Sequence, residues 1–295
     1  MQEYNYPTFI YKYCDLKNDS ESNKINSLEN LKNEQIWFSN PNRFNDPFDC
    51  SVALNGDDII NEIVVNNIDI IKSNIDSLKK DGIDLSLKQS EILCSKRPLD
   101  KFLFYLEKES DKETATMIKT MFYSSFPDAI SDFNEKYKSK LKVSCFSELY
   151  DSLLMWGHYA DKHQGFCMKY NLNYFKENHF FKTNLFKINY TNELLDMTQY
   201  YIDNAIKNLS INKEKLIESI LYKFTEWEYE KEWRVITTKN EYQQDFFNAA
   251  PQAIYLGAKI NKDNETIIRD IALSKDIPVY KMKLDTHKYK LNYNG

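Results

Sequence analysis

Residues Asp151 to Tyr170 read D-S-L-L-M-W-G-H-Y-A-D-K-H-Q-G-F-C-M-K-Y, and this stretch constrains the fold most. It carries two of the four histidines, one of the four tryptophans and two of the six glycines. Asp151 or Ser152 can cap a helix, because either side chain accepts a hydrogen bond from a free backbone N–H. Gly165 stands where a left-handed residue would end that helix. Phe166 to Tyr170 then reads as a short strand. On the helix Trp156, Tyr159 and His163 fall three and four residues apart and share a face, with His158 and Asp161 on the next. Indole, phenol, imidazole and carboxylate groups on one short element suit two roles. One is a core helix whose aromatic tips are hydrogen-bonded; the other is the wall of a pocket.

The rest of the chain supplies short strands to pack around it. Phe9 to Tyr13 reads as a first strand, followed by a polar, loop-like run around Asp19 to Asn23. Ile25, Leu28 and Leu31 mark an amphipathic helix over Ile25 to Asn33, and Gln35 to Ser39 a second strand. Asn40 to Asp49, with two prolines, reads as a structured turn. From Asp57 to about Leu141 the periodicity becomes helical, through Ile59, Ile63, Ile70, Ile71, Ile75 and Leu78. Strands resume at Lys142–Phe146 and Phe186–Tyr190. Leu194 to about Phe224 is helical by pattern. Trp233–Thr238 and Ala253–Leu256 are strands, Asn264–Ser274 a helix and Val279–Leu284 the last strand. The expected fold is one α+β domain over 1–295, with a mixed or antiparallel β core and a helical insertion at about 57–141.

Composition removes several function classes. Six glycines and the lack of any G-x-G-x-x-G or G-x-x-x-x-G-K argue against a Gly-rich phosphate loop. A net charge of −5 gives no general attraction to a phosphate backbone, so general nucleic-acid binding is not expected. The five cysteines form no C-x-x-C pair, which disfavours a zinc ribbon or a dithiol site. With no signal peptide and no apolar run able to span a bilayer, a reduced cytoplasmic setting without membrane contact is expected.

Three constellations can carry chemistry. Alternation sets Lys12 on the face opposite Tyr11 and Tyr13, where it could meet a phosphate or ribose or simply be a solvated edge. F-S-N-P-N-R-F-N-D-P-F-D, from Phe38 to Asp49, is a rigid loop able to set Ser39, Arg43, Asn45 or Asp46 against a ligand. T-E-W-E-Y-E-K-E-W-R-V, from Thr225 to Val235, would if extended align Glu226, Glu228, Glu230, Glu232 and Arg234 on one face. Trp227, Tyr229, Trp233 and Val235 would take the other. Two carboxylates two apart can divide roles in a glycosyl transfer. One stabilises the developing cation and the other orients the acceptor. His158, His163, Asp46, Asp49 and Glu232 form a poor metal set, since a five-residue histidine spacing does not suit one helix.

Four motifs resemble a large uncharacterised bacterial family catalogued as a domain of unknown function. They are Y-K-Y at Tyr11, W-F-S-x-P-x-x-F-N-D-P-F-D at Trp37, M-W-x-H-Y-A-x-x-H-x-G-F-C at Met155 and E-x-E-W-R at Glu230. The order of elements is also similar to the ADP-ribosyltransferase superfamily, which splits NAD between nicotinamide and ribose. That resemblance implies an NAD-consuming toxin or anti-phage effector, an ADP-ribosyltransferase or glycohydrolase, with an unknown macromolecular acceptor or trigger. Carried over, Lys12 or Tyr13 takes the first-strand role, Tyr159 or Ser39 the middle one, and Glu232 with Glu230 the catalytic one. Nicotinamide would leave from a pocket of Tyr159, Trp156 and Phe38, with Asn45, Asp46, His158, His163 and Arg234 around it. An isosteric Glu232→Gln is then expected to cost turnover and leave folding nearly untouched. The alternatives are a non-catalytic nucleotide- or protein-sensing module and a metal-dependent nuclease or phosphoesterase.

Overall fold

The computed structural model describes residues 6–18, 25–124, 126–173, 179–207, 213–238 and 242–294. The loop read around Asp19 to Asn23 lies outside them. The chain forms two compact units, one of residues 1–49, 138–192 and 221–295, the other of 50–137 and 193–220.

The first unit is built on an eight-stranded mixed sheet. In chain order its strands are β1 (Phe9–Cys14), β3 (Leu141–Ser147), β4 (Phe166–Asn171), β5 (Leu185–Lys187), β8 (Glu232–Thr238), β10 (Ala253–Leu256), β11 (Val279–Leu284) and β12 (Leu291–Asn294). Their order across the sheet is β12-β11-β10-β4-β1-β3-β8-β5. Every pairing is antiparallel except β10 with β11. Two small sheets join β2 (Gln35–Trp37) to β9 (Phe246–Asn248) and β6 (Asn189–Thr191) to β7 (Tyr222–Phe224).

The second-strand expectation ends early, because after Trp37 only Ser39 bridges to Val143. Phe186–Tyr190 divides into β5 and β6, which join different sheets. Val279–Leu284 is not last, since β12 follows it. Lys12 lies on a central strand rather than an edge.

One sheet face packs a core of Ile10, Leu31, Phe146, Met168, Trp233 and Ile254. Helices Asn26–Asn33 and Lys262–Leu273 supply Leu28, Leu31, Ile268 and Ala272 to it. Burying one such side chain contributes about 1.5 to 3 kcal/mol. Directly paired residues share a face, so the pairs Tyr11↔Ser147 and Ser147↔Glu232 set these three on the other face. The helix Leu153–Tyr159 packs there, capped by Ser152, whose hydroxyl accepts from the Met155 N–H.

That helix stops at Tyr159, before His163. Asp161, Lys162 and His163 are all left-handed, with φ of 47, 55 and 70°. Gly165 does not supply the left-handed end the sequence suggested. Its glycine answers a close approach: a Cβ there would lie 2.1 Å from the Cys14 carbonyl oxygen. At Gly257 a Cβ would lie 2.1 Å from the His163 oxygen. Gly165→Ala or Gly257→Ala is expected to lower stability by about 1 to 3 kcal/mol in urea unfolding. Gly157, in the helix with open space around it, is the control. Gly157→Ala is expected to raise stability by about 0.5 to 1 kcal/mol.

The second unit is helical, with Gly56–Asn66, Ile68–Lys80, Pro98–Glu109 and Lys112–Tyr123 its longer elements besides most of Phe126–Ser139. Asn55 and Asp111 cap two of these, and Pro98 begins a third. Ile60, Val64, Ile71, Ile75, Leu99, Phe102 and Leu106 form its core. The sequence suggested one insertion at about 57–141. The unit also takes in 193–220, which a bridge between Ala53 and Asp196 ties to it. Such a long-range pairing leaves no mark on local periodicity.

Candidate active site

β1 and β3 meet in a single residue pair, Tyr11↔Ser147, whereas β1 and β4 pair from Phe9 to Cys14. Beyond Tyr11 the two strands part. Lys12 crosses the gap, its Nζ donating to Ser144 Oγ at 3.1 Å and to the Cys145 carbonyl at 3.3 Å. A cavity of about 190 Å³ lies there. Tyr11, Lys12 and Tyr13 line one lip, and Val143, Cys145, Phe146 and Ser147 the other. Ser39, Phe44, Asn45, Asp49, Met155, Tyr159, Lys223, Glu230 and Glu232 complete it. Ligand clefts commonly measure about 300 to 1,000 Å³, so this one has room for no more than one end of a ligand.

The chemistry is concentrated in a buried charge cluster. Lys223 Nζ lies 2.5 Å from Glu230 Oε2, 3.2 Å from Glu232 Oε2 and 3.4 Å from Asp49 Oδ2. Arg234 donates from Nε to Glu232 Oε1 at 2.7 Å, and from a terminal nitrogen to Glu232 Oε2 at 2.9 Å and Asp49 Oδ2 at 2.8 Å. Arg234 is 0% exposed and Glu232 4%. Tyr159 donates its hydroxyl to Glu230 Oε1 at 2.5 Å, and the Asn45 side chain bonds the same hydroxyl. Ser147 Oγ donates to the Glu230 carbonyl at 2.6 Å, and the Glu232 N–H donates to the Tyr190 hydroxyl at 2.9 Å.

The segment before Glu232 is not extended. Thr225–Glu230 winds into a 3₁₀ turn, and Lys231 is left-handed at φ 45°, its N–H bonding the Glu228 carbonyl. The expected stripe of Glu226, Glu228, Glu230 and Glu232 therefore does not form. Glu226 and Glu228 are exposed, while Glu230 and Glu232 turn inward to Lys223. Ion pairing with Lys223 overrides local alternation here.

Three carboxylates face two cations, so one negative charge is left over. Burial and then the neighbouring Glu232 charge push the Glu230 carboxyl up to about 7, against the pull of Lys223 and Tyr159. Burial also raises Glu232, but Arg234 and Lys223 outweigh it and hold it well below the usual carboxylate range. Lys223 is drawn down by burial, yet Glu232 and Asp49 keep it firmly protonated. Burial and Glu230 push the Tyr159 phenol up, so it stays a donor. Burial and charge thus push the two glutamates in opposite directions, Glu232 toward the ionised form and Glu230 toward holding its proton into the neutral range.

Of the residues expected at the site, Glu230, Glu232, Tyr159, Lys12, Tyr13, Ser39 and Asn45 line the cavity. The others lie elsewhere. Trp156 is core, its indole donating to the Tyr150 carbonyl. Phe38 packs among Phe180, Tyr242 and Phe247. Asp46 closes its own loop by accepting from the Phe48 N–H. His163 stacks on Trp156 at 6.4 Å. His158 is exposed and stacks on Tyr229. Arg234 holds Glu232 from behind rather than lining the cavity. Lys223 was missed because nothing in Y-K-F marks it, and Asp49 drew notice only as a metal candidate. Among the described residues no group of three or more His, Cys, Asp or Glu is arranged to hold a metal ion.

Residues 155–235 match the family model described as "Protein of unknown function (DUF2971)". The matched DUF2971 segment holds Tyr159, Lys223, Glu230, Glu232 and Arg234. Lys12, Asn45 and Asp49 come from outside it, as do the Y-K-Y and W-F-S motifs. No curated protein and no solved structure matches the chain. No helix among the described residues is long and apolar enough to cross a membrane, and all five cysteines are free.

Proposed function

We propose that the protein consumes NAD, as an ADP-ribosyltransferase or NAD glycohydrolase, and acts in the bacterial cytoplasm as a toxin or anti-phage effector. The observation that carries this reading is the buried pair Glu230–Glu232 lining the cavity at the split between β1 and β3, with Tyr159 and Lys12 in the same cavity. Cleaving the nicotinamide–ribose bond leaves an oxocarbenium-like cation. The fixed charge of Glu232, held by Arg234, stabilises it and bonds the ribose 2′-hydroxyl. Glu230 takes the proton of the attacking water or acceptor hydroxyl, and nicotinamide departs with the bonding pair. Lys12 faces the pyrophosphate. Tyr13, Phe44 and Met155 take the place of Trp156 and Phe38 beside the nicotinamide ring. The ADP-ribosyltransferase-like fold belongs to the same proposal, supported by the cleft opening where two central strands part.

A non-catalytic nucleotide sensor is the second reading. It is favoured by Glu232, whose two oxygens are both engaged by cations. Incubating purified protein with NAD, with and without EDTA, separates the readings. Free nicotinamide in both arms supports the proposal. Binding of NAD without nicotinamide supports the sensor, and phosphoester cleavage abolished by EDTA supports a metal-dependent phosphoesterase.

A further inference from the structure

Asp49 is the buried charge to which the proposed reaction gives no step. It is 3% exposed and lines the cavity. The loop Phe44–Asp49 delivers it there: Asp46 accepts from the Phe48 N–H, and the Asp49 N–H bonds the Asp46 carbonyl at 3.1 Å. Asp49 Oδ2 then meets a terminal nitrogen of Arg234 at 2.8 Å and Lys223 Nζ at 3.4 Å. Burying a third carboxylate beside two cations is costly. An asparagine oxygen could accept from the same two donors, so what the aspartate adds is its charge.

That charge competes for the cations. Lys223 is divided among Glu230 at 2.5 Å, Glu232 at 3.2 Å and Asp49, and Arg234 between Glu232 and Asp49. Without the Asp49 charge, two carboxylates and two cations balance. With it, one carboxyl gains by keeping its proton. Glu232 is not that one, because Arg234 holds both of its oxygens. Glu230 is, since its second oxygen meets only the neutral hydroxyl of Tyr159 among the contacts that face the cavity.

The other groups near Glu230 add no negative charge. Burial pushes the phenols of Tyr159, Tyr190 and Tyr229 up, and it keeps Cys145, which is bonded to Glu232, as a thiol. Lys12 stands across the cleft, engaged by Ser144 and the Cys145 carbonyl.

We propose that Asp49 is a positioning residue for Glu230: by drawing Lys223 and Arg234 to itself it denies Glu230 a full counter-charge, and so sets the pH at which that carboxyl gives up its proton. The consequence for turnover rests on the NAD reading, whereas the relation between the two carboxylates does not.

The test is an NMR titration of the Glu230 carboxyl carbon in full-length wild type and Asp49→Asn, its signal assigned by its loss in Glu230→Gln, with no NAD present. Wild type is expected to titrate near about 7, the value to which burial and Glu232 push this group. Asp49→Asn is expected to titrate at least about one pH unit lower, the scale on which one nearby charge moves a carboxyl. Asp49→Glu restores the charge and is expected to bring the midpoint back toward wild type. A merely structural aspartate would change stability and leave the midpoint where it was. Where nicotinamide is released, the pH–rate profile of Asp49→Asn is expected to shift to lower pH by the same amount. No release from either protein would count against the NAD reading and leave the titration standing. Should Asp49→Asn fail to fold, Asp49→Ser, neutral and smaller, is expected to show the same shift. The proposal is overturned if a folded neutral variant titrates at or above the wild-type midpoint, if Asp49→Glu behaves as Asp49→Asn, or if neither neutral variant folds.

Discussion

Glu232→Gln is expected to lower NAD turnover by roughly two to four orders of magnitude and to destabilise the protein at neutral pH. In the proposed reaction the loss of turnover follows from removing the carboxylate held ionised beside the ribose, a preorganised charge whose effect is largest in the transition state. The loss of stability follows from what Glu232 touches. Glu232 answers both Arg234 and Lys223, all three within the buried cluster. Removing one partner of a buried ion pair leaves the other uncompensated and costs about 3 to 5 kcal/mol. The sequence alone suggested a crowded acidic strand face, on which an isosteric amide would be harmless. The structure reverses that, because Glu226 and Glu228 are turned away and two cations take their place.

The two effects have different pH signatures. Glu232 is depressed in the folded protein, so its stabilising contribution is present above the ordinary carboxylate value and lost as pH falls. The stability gap between wild type and Glu232→Gln, read by urea unfolding, is expected to narrow on acidification. Undiminished nicotinamide release by folded Glu232→Gln protein would remove Glu232 from catalysis. An unchanged unfolding midpoint at pH 7 would mean that Arg234 and Lys223 are satisfied without it.

How much of this was legible follows from which signals are local. Ser152 as a cap, Asn26–Asn33 as a helix and β10 could be read from neighbours a few residues away. The two glutamates were visible because an E-x-E beside an apolar strand is a compact pattern. Lys223 was not visible, because its three carboxylate partners come from Asp49 and from seven and nine residues onward, and a buried lysine looks in sequence like any other. Trp156 and Phe38 were assigned to the site on ring chemistry. A large aromatic in a core and one in a pocket wall have the same sequence signature, and only the sheet face each one meets distinguishes them. The turn at Lys231 was likewise hidden, since a lysine gives no hint of a left-handed backbone.

Glu230→Gln is expected to separate catalysis from stability where Glu232→Gln does not. Among the described residues Glu230 pairs with Lys223 and carries the raised carboxyl, so an amide there resembles its protonated state. In the proposed reaction the ionised form accepts the acceptor's proton. Wild-type turnover is therefore expected to rise with pH through about 7, the value to which burial and Glu232 push this group. The variant is expected to lose that rise along with roughly two to four orders of magnitude in turnover at pH 8. The stability sign is opposite to that of Glu232. A carboxyl raised on folding contributes stability that is complete below its unfolded value and is lost as pH climbs through about 7. At pH 5 the variant and wild type are expected to unfold at similar urea concentrations. Above pH 7 the variant is expected to be the more stable, because wild type then holds a third negative charge that Lys223 and Arg234 do not balance. Hydroxylamine or a similar strong nucleophile, which needs less help in losing a proton, is expected to restore part of the lost turnover. A flat wild-type profile between pH 6 and 8, or turnover surviving intact in Glu230→Gln, would remove Glu230 from the proton-accepting role proposed for it.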